Sequence, residues 1–231
     1  MTKAVLLDIE GTTTPIDFVH KTLFPFAKER IGKYVAHHFD SLHDEITQLV
    51  NEHSKDPGYT IPLDPTEPGS VSAYLEHLID LDRKSTPLKS IQGKIWQQGY
   101  ELGELCSVIF EDVPRAFERW KSAGKAIAIY SSGSMLAQKL IFKYSDHGDL
   151  SEFISDYFDT QVGHKREVKS YQMIAKELRC NAGEILFVSD IVEELDAARV
   201  AGTQTALSVR TGNAPIEGDP NHRVITTFDE I

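Results

Sequence analysis

A chain of 231 residues, 41% hydrophobic and 26% charged, has the composition of an ordinary globular protein and is long enough for one domain with an insertion or two small domains. Its 24 basic residues against 35 acidic ones leave a formal charge of −11, which argues against nucleic acid or an anionic membrane as partner and leaves room for a small anionic substrate only where positive charge is concentrated. Cys106 and Cys180 are its two cysteines, which supply no zinc set and suit a reducing compartment.

The opening stretch MTKAVLLDIEG holds too short an apolar run for a secretory signal, and no later run reaches membrane-spanning length, so a cytoplasmic protein is expected. The run AVLL at 4–7 is continuously apolar, as a strand covered on both faces should be, yet it ends in Asp8, Glu10, Gly11 and Thr12. The next hundred residues carry mostly helical periodicity. Helix-spaced apolar faces occur at 15–39, 71–82 and 88–105, interrupted at 54–70 by a loop whose four prolines oppose regular structure. Trp96, Phe18 and Phe24 in this region read as packing residues.

Beyond residue 105 the rhythm changes. Apolar runs at 126–130, 185–188 and 204–209 read as strands, and a last short strand is expected near Val224 after the loop 211–223. Amphipathic stretches at 113–124, 134–145, 167–180 and 192–202 separate them, with Gly124 and Gly202 where helix C-caps belong. Strands alternating with helices predict an α/β fold with a doubly wound, mostly parallel sheet. Residues 1–15 and 106–231 would form this core, and residues 16–105 a helical cap inserted after its first strand.

Several strand ends carry polar residues. The first ends in Asp8 and Glu10; the run 126–130 ends in Ser131-Ser132-Gly133; the run 185–188 ends in Ser189-Asp190, with Glu193 and Glu194 beyond. In an open parallel sheet, ligands bind past the carboxyl ends of the strands where strand order reverses. Carboxylates gathered there repel one another unless a cation intervenes, and oxygen donors without His or Cys suit Mg²⁺ with retained waters. The Ser-Ser-Gly turn before a helix offers free N–H groups to an oxyanion, and Lys165, ahead of another helix, offers positive charge. Together these make a phosphoryl-transfer constellation. Singly, Asp8 reads as a turn residue, Asp190 and Ser134 as helix N-caps, and Lys165 and His164 as surface groups. Their order along the chain is what separates the two readings.

That order resembles the haloacid dehalogenase superfamily of phosphotransferases. Asp8-Ile9-Glu10-Gly11-Thr12 is similar to its first motif, Ser131 to its second, Lys165 to its third, and Ser189-Asp190 with Glu194 to its acidic fourth. Glu10 departs from the Asp usual at that place. DIEGTTTPIDFV, QGKIWQQGY, IYSSGSMLAQKL and FDTQVGHKREVKSY further resemble the enolase-phosphatase (acireductone synthase) branch of methionine salvage. The resemblance implies a Rossmann-like core and enolisation of 2,3-diketo-5-methylthiopentyl-1-phosphate, followed by its dephosphorylation to the acireductone. It also implies one Mg²⁺ per subunit and a monomer, with a small phosphorylated substrate as partner; the acidic charge argues against a nucleic-acid or membrane partner. By the same resemblance Asp8 is the nucleophile, and Asp8, Glu10 and Asp190 form the metal site. Glu10 serves in proton transfer, Ser131, Ser132 and Lys165 clamp the phosphoryl group, Glu194 orients waters, and Thr12 supports the loop. Another capped phosphatase or phosphomutase would share these core residues. A receiver-like module that stores an aspartyl-phosphate would share the core without needing a cap.

Overall fold

The computed structural model describes residues 1–81, 83–216 and 221–231. Its sheet has six parallel strands in the order β3-β2-β1-β4-β5-β6. These are β1 (Ala4–Leu7), β2 (Ala126–Tyr130), β3 (Asp156–Phe158), β4 (Ile185–Ser189), β5 (Gln204–Ser208) and β6 (Arg223–Ile225). β1 is buried along its whole length, which is why it contains no polar residue. It pairs with β2 on one side (Leu7 opposite Ile129) and with β4 on the other (Leu7 opposite Val188). The chain winds outward from β1 through β2 and β3, then returns to β4 and winds out through β5 and β6. Strand order thus reverses between β1 and β4, and the crevice for a ligand opens at Asp8 and Ser189-Asp190.

Helices α6 (Asp112–Ser122), α7 (Met135–Lys143), α8 (Val168–Glu177) and α9 (Val192–Val200) accompany this sheet. Gly124 and Gly202 follow α6 and α9 at φ +72° and +94°, the left-handed caps their positions suggested. Fully buried Leu6, Tyr130, Tyr171, Phe187 and Leu195 share one hydrophobic core. Each large apolar side chain so buried contributes about 1.5–3 kcal/mol.

Two compact units emerge: Met1–Val19 with Cys106–Ile231, and His20–Leu105. The second is helical, with α2 (Phe24–His38) packed on α4 (Pro68–Asp80) and α5 (Thr86–Glu101), and α3 (His43–His53) on α5. Trp96 donates its indole N–H to the Leu23 carbonyl at 2.8 Å and stacks on Phe24, which makes both packing residues.

Four elements differ from the sequence reading. β3, three residues of Asp-Tyr-Phe, has no apolar run to betray it. α3 carries a weak periodic signal, since its sequence HDEITQLVNEH buries little more than Ile46 and Leu49. Residues 15–39 do not form one helix: α1 (Ile16–Phe18) passes into a π-helical turn, Val19–Leu23, before α2 begins. Pro25, in the first turn of α2, has no N–H to continue the preceding ladder. Pro68, read as part of the loop, instead starts α4 behind the Glu67 N-cap, where its missing N–H costs nothing. Of the loop 211–223, residues 217–220 lie outside the described residues. Among the described residues no helix is long and apolar enough to cross a membrane.

Candidate active site

The β1 ladder runs one residue past the strand, Asp8 N–H donating to Val188 O at 3.0 Å, so the Asp8 side chain emerges at the sheet's carboxyl edge. A tight turn follows. The amides of Thr12, Thr13 and Thr14 all donate to the Ile9 carbonyl, and the Thr13 hydroxyl reaches the Asp8 and Ile9 carbonyls at 3.2 Å. Thr12 therefore supports the loop through its backbone, while its buried hydroxyl has no hydrogen-bond partner among the described residues. Gly11 sits at φ +68°, and a Cβ there would lie 2.4 Å from Asp190 Oδ2. Only glycine fits both the backbone and the approach of Asp190.

Lys165 is the hub. Its Nζ lies 2.7 Å from Asp8 Oδ1 and 2.7 Å from Glu194 Oε2, and the residue is 6% exposed. Asp8 Oδ1 also accepts the Ile9 N–H at 2.8 Å. The Ser189 hydroxyl stands 2.9 Å from Glu194 Oε2 and 3.4 Å from Asp8 Oδ2, and accepts the Ile191 N–H. Burial alone would lower the pKa of the Lys165 amine, but the Asp8 and Glu194 carboxylates outweigh it and raise it, so the amine stays charged. Burial, reinforced by the charge of Asp8, pushes the Asp190 carboxyl up to about 7 and raises Glu194 as well. One ammonium, bonded to Asp8 and Glu194, thus faces three carboxyl groups, Asp190 feeling it only through space.

That imbalance is the test of whether a divalent cation suits the site. No three His, Cys, Asp or Glu side chains among the described residues form a ready-made cage. Oxygen donors from Asp8 and Asp190 beside Gly11, with charge left to neutralise, suit a hard ion that keeps several waters, which is Mg²⁺. The residues fit it.

Ser131 directly follows β2, beside β1, 5% exposed, its N–H donating to Phe158 O and its hydroxyl accepting from Gly133 N at 3.1 Å. Gln138 pins this turn by donating to Gly133 O and Phe158 O. Ser132 lies on that turn and Glu10 on the turn after β1; both are partly buried. Ser134 is an N-cap, accepting from Ala137 N at 3.3 Å. His164 is exposed, and Glu193 faces solvent, 63% exposed, while its neighbour Glu194 turns inward. Asp190 is not the α9 N-cap; Ile191 is. Ser189 stands where the sequence places it, at the end of β4, whereas Gln138 and Asn213, whose amide donates to Gly11 O and Ser208 O, carry no mark in the sequence that separates them from other polar residues.

A haloacid dehalogenase-like hydrolase family model matches residues 2–202. Enolase-phosphatase E1 of Synechococcus elongatus is 50% identical over 232 residues, covering 98% of this chain and 96% of that protein, and the Leptospira borgpetersenii protein of the same name is 51% identical over 228 residues, at the same coverage. The chain belongs to the haloacid dehalogenase-like hydrolases and, within them, to the enolase-phosphatases. Among solved structures, the UTR4 protein of Saccharomyces cerevisiae covers both chains fully at TM-score 0.79 and 33% identity. CbbY of Rhodobacter sphaeroides, at TM-score 0.61 and 16% identity, shares the fold. Haloacid dehalogenase-like hydrolases and enolase-phosphatases generally depend on Mg²⁺, in keeping with the oxygen-donor site built here.

Proposed function

We propose that this chain is a Mg²⁺-dependent enolase-phosphatase that enolises 2,3-diketo-5-methylthiopentyl-1-phosphate and then dephosphorylates it to the acireductone 1,2-dihydroxy-3-keto-5-methylthiopentene. The observation that carries the proposal is the Lys165 ammonium held between Asp8 and Glu194 where strand order reverses. Near-half identity to the enolase-phosphatases over almost the whole chain supports the substrate.

Asp8 is the nucleophile. Its carboxylate, oriented by Lys165 and the Ile9 amide, attacks phosphorus; the bond from phosphorus to the substrate oxygen breaks, and an aspartyl-phosphate forms. Glu10, in the turn two residues on, supplies a proton to the departing oxygen. Water then attacks the aspartyl-phosphate, releasing phosphate and restoring the Asp8 carboxylate. Ser131, Ser132 with the adjacent Gly133 amide, and Lys165 bind the phosphoryl oxygens as their charge shifts. Asp8 and Asp190 through carboxylate oxygens, and Glu10 through its backbone carbonyl, would hold Mg²⁺, which would supply charge neutralisation and Lewis acidity. The helical unit His20–Leu105 serves as the cap. The protein works as a monomer with one metal ion, its partner a small phosphorylated metabolite of the cytoplasm.

The test compares phosphate release from the diketo phosphate with release from a sugar phosphate, with Mg²⁺ and after EDTA. Release confined to the diketo substrate and restored by Mg²⁺ is expected. Brisk turnover of the sugar phosphate alone would assign a differently specialised capped phosphatase.

A further inference from the structure

The loop that delivers Lys165 belongs to no helix or strand, so its carbonyls have no regular ladder, although His164 O accepts the Glu167 amide at 2.9 Å in a turn. Three consecutive ones are nevertheless each held by a side-chain hydroxyl. Tyr130 OH donates to Gly163 O at 2.9 Å, Ser170 Oγ to His164 O at 2.8 Å, and Tyr171 OH to Lys165 O at 2.5 Å. The donors come from two elements, β2 and α8, and Tyr130, Ser170 and Tyr171 are at most 1% exposed. Gly163, at φ +133°, completes the fit: a Cβ there would lie 2.2 Å from Ser170 Oγ. Both tyrosines are anchored in the main core, their rings edge to face at 5.7 Å, and Tyr171 also packs on Phe187 of β4. Burial raises both phenols, so they remain protonated donors.

One buried tyrosine hydroxyl on a nearby carbonyl is ordinary satisfaction of a polar group. Three successive carbonyls bound by three hydroxyls fix a loop's backbone residue by residue. We propose that Tyr130, Ser170 and Tyr171 are positioning residues that lock the 163–165 backbone and thereby aim the Lys165 amine at Asp8 and Glu194. None of them touches the reacting atoms. The Lys165 side chain must span from the loop to two carboxylates in a site that excludes solvent, so a small drift of its backbone separates amine and carboxylate. Displacements of about 1 Å at such a group cost on the order of a hundredfold in rate. The effect on turnover rests on the role of Lys165 given above; the effect on the amine's pose does not.

The experiment removes each hydroxyl separately in the full-length protein, as Tyr171→Phe, Tyr130→Phe and Ser170→Ala, so that one misfolded variant leaves two others. Two readouts are taken with Mg²⁺ present: steady-state kinetics, and the rate of trace reductive methylation of Lys165, followed by peptide mass spectrometry. Each folded variant, Tyr171→Phe foremost, is expected to lower kcat at least about tenfold with KM within about threefold and to speed labelling of Lys165. In a Lys165→Ala background the same substitution is expected to add less than about twofold. Unchanged labelling in every folded variant, or losses that multiply in the Lys165→Ala background, would overturn the proposal. Should Lys165→Ala keep full activity, the functional reading of Lys165 fails by itself. Labelling alone then decides the clamp: faster, it stands; unchanged, it falls.

Discussion

Asp8 and Lys165, 157 positions apart in the chain, meet at 2.7 Å because β1 ends where the loop before α8 returns beneath it. The carboxylate gains a fixed orientation from this contact, and the amine is held charged by it and by Glu194.

Gly11→Ala should strip the site of its metal before it unfolds the protein. The added methyl would stand 2.4 Å from Asp190 Oδ2 and would occupy a left-handed backbone position. Asp190 must swing aside, so Mg²⁺ affinity measured by calorimetry should fall at least about tenfold, with a loss of stability of about 1–2 kcal/mol. Wild-type Mg²⁺ affinity in a folded Gly11→Ala variant would show that Asp190 does not bind metal from beside Gly11.

Mg²⁺ binding should strengthen with pH and level off above about 7. Burial and the charge of Asp8 raise the Asp190 carboxyl to about 7 in the folded chain, above its ordinary unfolded value. Without metal, the stability this group contributes is therefore full below the ordinary carboxylate range and lost as pH rises toward 7. With metal the ionised form is needed, so protons compete below 7 and apparent affinity drops by up to about tenfold per pH unit. The rise in Tm produced by Mg²⁺ should be clearly larger at pH 8 than at pH 6. Equal shifts at both would count against the raised carboxyl.

Arg210 and Asp112 anchor the C-terminal end of the chain, far along the sequence from each other. Two guanidinium bonds, 3.1 and 2.8 Å, join them, both side chains are under 10% exposed, and Arg210 lies between the Phe110 and Phe228 rings. Burial alone would raise Asp112, but the Arg210 bond and the Phe228 amide outweigh it and hold the carboxyl below its ordinary range. The pair's stability is thus present above that range and lost as pH falls through the lowered value. Arg210→Ala leaves a buried carboxylate unpaired and should cost about 3 kcal/mol or more in urea unfolding; Arg210→Lys recovers only part, lacking the planar fork. A loss under about 1 kcal/mol would mean that water replaces the guanidinium.

Much of the core was legible in the sequence because β1, β2 and β4 are continuous apolar runs with a change of chemistry at their ends. Nothing comparable marks β3, an edge strand of three residues, or the break at Pro25, where an amphipathic pattern continues across a change of helix type. At the site, Asp8, Lys165, Asp190 and Glu194 stood out through spacing and charge. Gln138, Asn213 and the three hydroxyls around Gly163–Lys165 did not, since their role lies in which backbone group they reach. Only three-dimensional placement reveals that.

The central claim is that Asp8 is the nucleophile of a two-step enzyme, and Asp8→Asn separates the steps. The amide keeps the shape and one oxygen toward the metal but is far too weak a nucleophile for phosphorus. Enolisation needs only a base and an electrophile to polarise the carbonyl, roles the proposed mechanism does not give to the Asp8 carboxylate. The decisive measurement follows enol absorbance and free phosphate together in one reaction of the Asp8→Asn protein with the diketo phosphate and Mg²⁺. We expect no phosphate and slow accumulation of a phosphorylated enol. Near-normal phosphate release would contradict the account.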